Sequence, residues 1–249
     1  MKKLFIMASA ILVASFSISA ETYQYEPVDN KAEYYSGKFN DGKGMQDLVK
    51  WGNKWAKWTE GREDWDAMQT VIFTPYYHND ITAQDYVWLN ISPSSTVQYK
   101  AIDSWVRDGG KLVSSLPVTN QRVVEAWQWP ISVPEGDNTE TGYVRFTDCT
   151  LKEGVTTRKA FDVYKNFAIK ARSTGDDMGR KMIFPASGIG NIDYDYVYSL
   201  YGTSPTQYGK DIDNFDANLE GTDEVKALNE ISECTNARSY TTLEIKSPS

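Results

Sequence analysis

Much of this chain is written twice. Asp85-Tyr86-Val87-Trp88 recurs as Asp195-Tyr196-Val197-Tyr198, and Pro75, which closes an apolar run, recurs as Pro185, both 110 residues on. Ser95-x-x-Gln98-Tyr99 returns as Ser204-x-x-Gln207-Tyr208 at a spacing of 109, and Trp105 returns as Phe215 at 110. Solenoid periods run at roughly 20–50 residues, so a repeat this long predicts two copies of one small domain. It constrains architecture far more than chemistry.

Within the second copy, Tyr143 to Asp148 alternates apolar and polar and predicts a strand. Thr150-x-x-Glu153 has the form of a capping box. Val155, Ala160, Val163, Tyr164, Phe167, Ala168 and Ala171 follow at helical spacing, so a helix is expected over 152–171. Strands are expected at 181–185 and 193–201, separated by a glycine-rich turn. Ser204-Pro205-x-Gln207 opens a helix to about Leu219, followed by a short helix at 223–233 and a strand near 237–245. The first copy predicts strands at 33–39, 68–76, 85–91 and 122–129, with helices at 44–59 and from Ser95 to about Arg107. Each copy therefore reads β-α-β-β-α-β, an α+β, ferredoxin-like arrangement. The expected domains are 21–130 and 142–249, joined by a proline- and glycine-bearing linker at 131–141.

The first twenty residues have the pattern of a secretory signal peptide: Lys2 and Lys3, an apolar stretch to about Ile18, then Ser19-Ala20. Export to the periplasm or the extracellular space is expected, without stable membrane insertion. The formal net charge of −8 falls to about −10 once the two leader lysines are removed, and an acidic surface argues against nucleic acid as a partner. In an oxidising compartment the only two cysteines, Cys149 and Cys234, are expected to pair. In a ferredoxin-like unit the end of strand one meets the start of strand four, which is where both cysteines fall.

Two ferredoxin-like units in one exported chain resemble the dimeric α+β barrel superfamily, in which two such sheets face each other. Some of its members fuse both halves into one polypeptide. The resemblance covers about 30–245 and rests on element order and the repeat. It implies an intramolecular barrel. The superfamily includes cofactor-independent monooxygenases and haem enzymes such as chlorite dismutases and dye-decolorising peroxidases. No motif of theirs transfers onto numbered positions here.

Trp51, Trp55 and Trp58 share one face of the first helix with Met45 and Leu48, the pattern of a face packed on a sheet. The same face predicts an aromatic-lined cavity for a small hydrophobic or aromatic ligand. Its expected walls are Trp51, Trp55, Tyr76, Trp88 and Trp105, with His78, the only histidine, at its mouth. His78 aligns with Gly188 in the repeat, so it belongs to one half only. Glu60, Glu63, Asp64 and Asp66 cluster after the first helix. Asp211-x-Asp213-x-x-Asp216 lacks the residue order of a calcium loop. Ala186-Ser187-Gly188-Ile189-Gly190 is not a nucleophile elbow, and no phosphate or dinucleotide loop is present. No metal or cofactor is expected. The expected role is binding of a small hydrophobic molecule or an envelope partner. The alternative is a barrel-superfamily enzyme, either a cofactor-free monooxygenase or a haem protein using His78.

Overall fold

The computed structural model describes residues 22–136 and 139–249, so the expected leader at 1–20 lies outside the described residues. Eight antiparallel strands close into a barrel in the order β1-β3-β2-β8-β5-β7-β6-β4. They are β1 (Asn30–Phe39), β2 (Gln69–Pro75), β3 (Tyr86–Ser92), β4 (Val118–Ser132), β5 (Gly142–Leu151), β6 (Gly179–Ser187), β7 (Tyr196–Gly202) and β8 (Ser232–Lys246). Residues 30–132 give the local order β4-β1-β3-β2, and residues 142–246 give β8-β5-β7-β6. The two arcs are sewn together where β2 pairs with β8 and β4 with β6.

Helices cover the outside. In the first arc, α1 (Met45–Thr59) and α3 (Ser95–Asp108) lie on the sheet, with the short α2 (Glu63–Asp66) and α4 (Gly110–Val113) beside them. In the second arc, α5 (Thr157–Ser173), α6 (Pro205–Asn214) and α7 (Asp223–Ile231) do the same, and a π-helical turn at Phe215–Leu219 continues α6. Strand alternation then gives β3 and β7 one face toward the helices and one toward the lumen. Tyr86 and Trp88 of β3 turn outward under α1, while Val87 and Leu89 turn into the lumen. In the second arc Tyr196 faces Phe161 and Tyr164 of α5, while Val197 faces the lumen.

Three boundaries differ from the sequence expectation, each for a local reason. The expected capping box at Thr150 is strand: Thr150 and Leu151 pair with Glu233 and Ser232, and Gly154 at φ 76° breaks the chain before a helix can start. The cap of α5 is Thr156, whose hydroxyl accepts the Lys159 amide at 3.2 Å. The cap of α3 is Ser94 rather than Ser95, accepting the Val97 amide at 3.3 Å. Ser94 then stands 110 residues from Ser204, the cap of α6, in step with the rest of the repeat. Third, β4 and β8 each run for 15 residues, and each pairs with a strand of its own arc and one of the other. Ile131 and Ser132, expected in a linker, therefore belong to β4.

Cys149 and Cys234 are register partners on β5 and β8 and are joined in a disulfide. No helix among the described residues is long and apolar enough to cross a membrane.

Candidate functional site

The largest cavities lie in the barrel lumen. Inward-facing Phe73, Leu89, Ala126, Val144, Phe146 and Ile183 belong to one apolar cluster lining it. Tyr34, Phe73, Phe146 and Ile183 line both of two chambers, one of about 680 Å³ and one of about 540 Å³, and so form the waist between them.

Polar groups gather at the rim of the larger chamber. Tyr240 of β8 accepts the Gln84 amide at 3.0 Å and lies 3.2 Å from His78 Nε2. Burial raises the Tyr240 phenol, against the opposing pull of Arg238. Arg238 pairs with Asp148 at 2.8 Å, and the Asn236 amide donates to the same carboxylate at 2.6 Å. Asn236 has φ 51°, a left-handed conformation that asparagine tolerates, and it sits where the β5–β8 register shifts.

The smaller chamber has one basic wall residue, Lys181, whose side chain is partly buried. Lys181 of β6 donates to Gln128 Oε1 at 3.2 Å and lies 4.7 Å from the centre of the Tyr201 ring. Gln128, fully buried, donates in turn to the Tyr34 hydroxyl at 2.6 Å. Burial lowers the Lys181 amine to about 8 and raises the phenols of Tyr34 and Tyr201. No ion pair to Lys181 exists among the described residues.

A third cavity, of about 180 Å³, lies between the first-arc helices and the sheet. Trp51, Trp55, Trp88 and Trp105 line it, as does Trp65. Six tryptophans form a closed ring of edge-on contacts in the order 51, 88, 55, 65, 58, 105, with centroids 5.2–6.3 Å apart. The indole N–H groups of Trp51, Trp65 and Trp88 are bonded to Leu112 O, Ser104 Oγ and Asn90 Oδ1. The rings thus pack on one another around this cavity, three of them fixed by a hydrogen bond to the protein. Glu33 is buried on the same side, its carboxyl raised by burial against hydrogen bonds from Tyr35 and Asn90.

The expected site therefore comes apart. Its four tryptophans stand together, but Tyr76 and His78 do not line their cavity. Tyr76 is 55% exposed and packs on Tyr77, whereas His78 belongs to the rim of the larger lumen chamber. Reasoning from sequence missed Lys181, Gln128, Tyr34, Arg238 and Tyr240. A lysine opening the apolar run Met182-Ile183-Phe184 was the available signal, and it carries meaning only once its side of the strand is known to face the lumen. Among the described residues no group of three or more His, Cys, Asp or Glu side chains could hold a metal ion, and Glu60, Glu63, Asp64 and Asp66 do not form one.

No protein-family model and no curated protein matches this sequence. Solved structures do match in shape. An anthrone oxidase-like protein superposes with TM-score 0.51 at 8% identity, covering 92% of this chain and 98% of its own. Chlorite dismutase from Candidatus Nitrospira defluvii gives 0.51 at 9%, covering 89% and 93%. A heme-binding protein from Thermus thermophilus gives 0.50 at 10%, covering 90% and 95%. The fold is that of the dimeric α+β barrel. In this barrel both sheets belong to one chain, so the lumen is lined by each arc, and the two wall sets are not equivalent. His78 and Gln84 come from the loop after β2, while Ile189 and Asn191 take the corresponding place after β6.

Proposed function

We propose that this protein is an exported binding protein that takes a small, largely apolar molecule into the barrel lumen. The observation that supports this best is the lumen itself: two chambers of drug-like size that share a waist of Tyr34, Phe73, Phe146 and Ile183, with polar and charged side chains around it. A core serving stability alone would be close-packed. Export is supported by the leader-like first twenty residues and by the disulfide, which suits an oxidising compartment. The reading includes an origin by duplication of one ferredoxin-like unit, supported by the matching strand orders, helix caps and repeated motif. It excludes nucleic acid as a partner on grounds of charge.

The competing reading is an enzyme. Proteins of similar fold are described as anthrone oxidase-like or as heme-binding, and His78 is the one candidate histidine axial ligand. The geometry does not suit that role. His78 Nε2 faces the Tyr240 hydroxyl at 3.2 Å, Nδ1 takes the Asp80 amide at 3.3 Å, and the ring sits on a loop rather than a rigid element. Haem ligation would have to break the Tyr240 contact.

Native mass spectrometry of the mature protein, purified without detergent from its own cells, tests the proposal. A bound mass of a few hundred daltons, released on denaturation and without a visible absorption band, supports it. A haem mass with a Soret band supports the haem-enzyme reading, and a protein that never carries a small molecule contradicts the binding proposal.

A further inference from the structure

The two lumen chambers differ in charge. In the larger one both arginines are engaged: Arg238 pairs with Asp148 at 2.8 Å, and Arg122 donates to Ile189 O at 3.3 Å. In the smaller one the Lys181 ammonium has a neutral amide oxygen, an aromatic face and open cavity around it. The groups facing it are Gln128 from β4, Ser199 and Tyr201 from β7 and Tyr34 from β1. All are uncharged at neutral pH. The carboxylates that line this chamber, Glu140 and Glu244, make no ion pair with Lys181. Glu244 is occupied by Gln69 at 2.7 Å and Ser247 at 2.5 Å.

A desolvated ammonium without a counter-ion is costly in a protein interior, and a ligand that supplies the missing charge recovers that cost. Resting on the lumen reading above, we infer that the smaller chamber takes molecules with an apolar body and one carboxylate, the carboxylate seated on the Lys181 ammonium. Ser199 Oγ on the paired strand and the Tyr34 hydroxyl, which accepts from Gln128 and keeps its own proton to donate, are the neutral groups beside it. The apolar body lies against Val71, Leu89, Val144 and Ile183.

Octanoate and 1-octanol, matched in chain length and differing in charge, separate the possibilities by calorimetric titration at pH 7. Octanoate binds the wild-type protein at least tenfold more tightly than 1-octanol. In Lys181→Met that ratio falls by tenfold or more. The Lys181 amine titrates near 8, so wild-type affinity for octanoate drops at least tenfold between pH 8 and pH 10, and the variant shows no such drop. Lys181→Gln serves as the second variant, and thermal melting of both checks the fold. If octanoate binds Lys181→Met as tightly as wild type, or if both probes weaken equally, the carboxylate seat is wrong. If 1-octanol binds the wild-type protein and octanoate does not, this inference fails and the lumen reading stands. If neither probe binds, both fail.

Discussion

Asp85 and Asp195 do the same work in the two arcs of the barrel. Asp85 accepts the Phe39 amide at 2.9 Å and Asp195 accepts the Leu151 amide at 2.7 Å. Their own amides donate to Gly37 O at 2.8 Å and Cys149 O at 2.9 Å. Each aspartate ties the end of one strand to the start of its neighbour, satisfying backbone groups that the ladder leaves over. The repeated Asp-Tyr-Val-aromatic motif is therefore a structural device, and its recurrence carries no chemistry.

Asp85→Ala should cost about 1–2 kcal/mol, because a partly buried amide loses its charged acceptor, and Asp195→Ala less, because the Leu151 bond is exposed. At opposite places in the barrel, the two losses should add in the double variant. Burial pushes the Asp85 carboxyl up, but the Phe39 amide and Lys38 outweigh it, and the net shift is downward. A lowered folded pKa means that this stabilisation is present above about pH 4 and is lost as pH falls further. Urea unfolding at pH 7 and pH 3 reads both effects. Equal stability of wild type and Asp85→Ala at pH 7 would contradict them.

Asp211 predicts the opposite pH behaviour. Burial, opposed by the Asp177 amide at 3.2 Å and reinforced by the charges of Asp176 and Asp177, raises its carboxyl to about 6, and Oδ2 has no partner. With a raised folded pKa, the favourable protonated form contributes fully below about pH 4, and its contribution is lost as pH rises through about 6. Asp211→Asn should therefore stabilise the fold by about 1–2 kcal/mol at pH 7.5 and leave it unchanged at pH 4. Thermal melts at the two pH values decide. A variant less stable at pH 7.5 would show that the ionised carboxylate is favourable there.

The disulfide joins residues 85 apart. In the chain-entropy model, closing a loop of this length contributes about 4.5 kcal/mol. Because β5 and β8 are already paired there, the double change Cys149→Ser, Cys234→Ser should keep the fold and lower its melting temperature. A variant without native circular dichroism would mean that the bond is needed to form the ladder.

Architecture was legible in the chain because it rests on local signals: alternation along strands, helical spacing from Val155 to Ala171, and the cap at Ser204. Ser94 was misread as Ser95 because the two are adjacent and only the hydrogen bond to Val97 separates them. The Thr150 capping box failed because pairing with β8, which is distant in sequence, outweighs a local preference. The tryptophans were legible as a group because helical spacing and strand parity both bring them together. The lumen was not. Its walls come from all eight strands, and Lys181, Gln128 and Tyr34 lie far apart in sequence until the barrel closes.

Trp55 touches Trp65 and Trp88 with centroids 5.4 and 5.2 Å away and is 3% exposed. Trp55→Ala should cost about 3–5 kcal/mol through the cavity it leaves. If the six-tryptophan ring is core alone, the surviving folded fraction should bind apolar probes as wild type does. A several-fold loss of affinity would instead place a ligand in the 180 Å³ cavity.

Titration of the neutral fluorophore N-phenyl-1-naphthylamine into wild-type protein and two lumen-filling variants tests the account most directly. Val124 lines the larger chamber and Val71 the smaller, and both side chains are only partly buried, so a tryptophan at either can extend into open space. The account predicts saturable fluorescence enhancement with wild type and at least a tenfold loss of affinity in the folded double variant Val71→Trp, Val124→Trp. Undiminished binding by that variant would place the ligand outside the lumen and contradict the account.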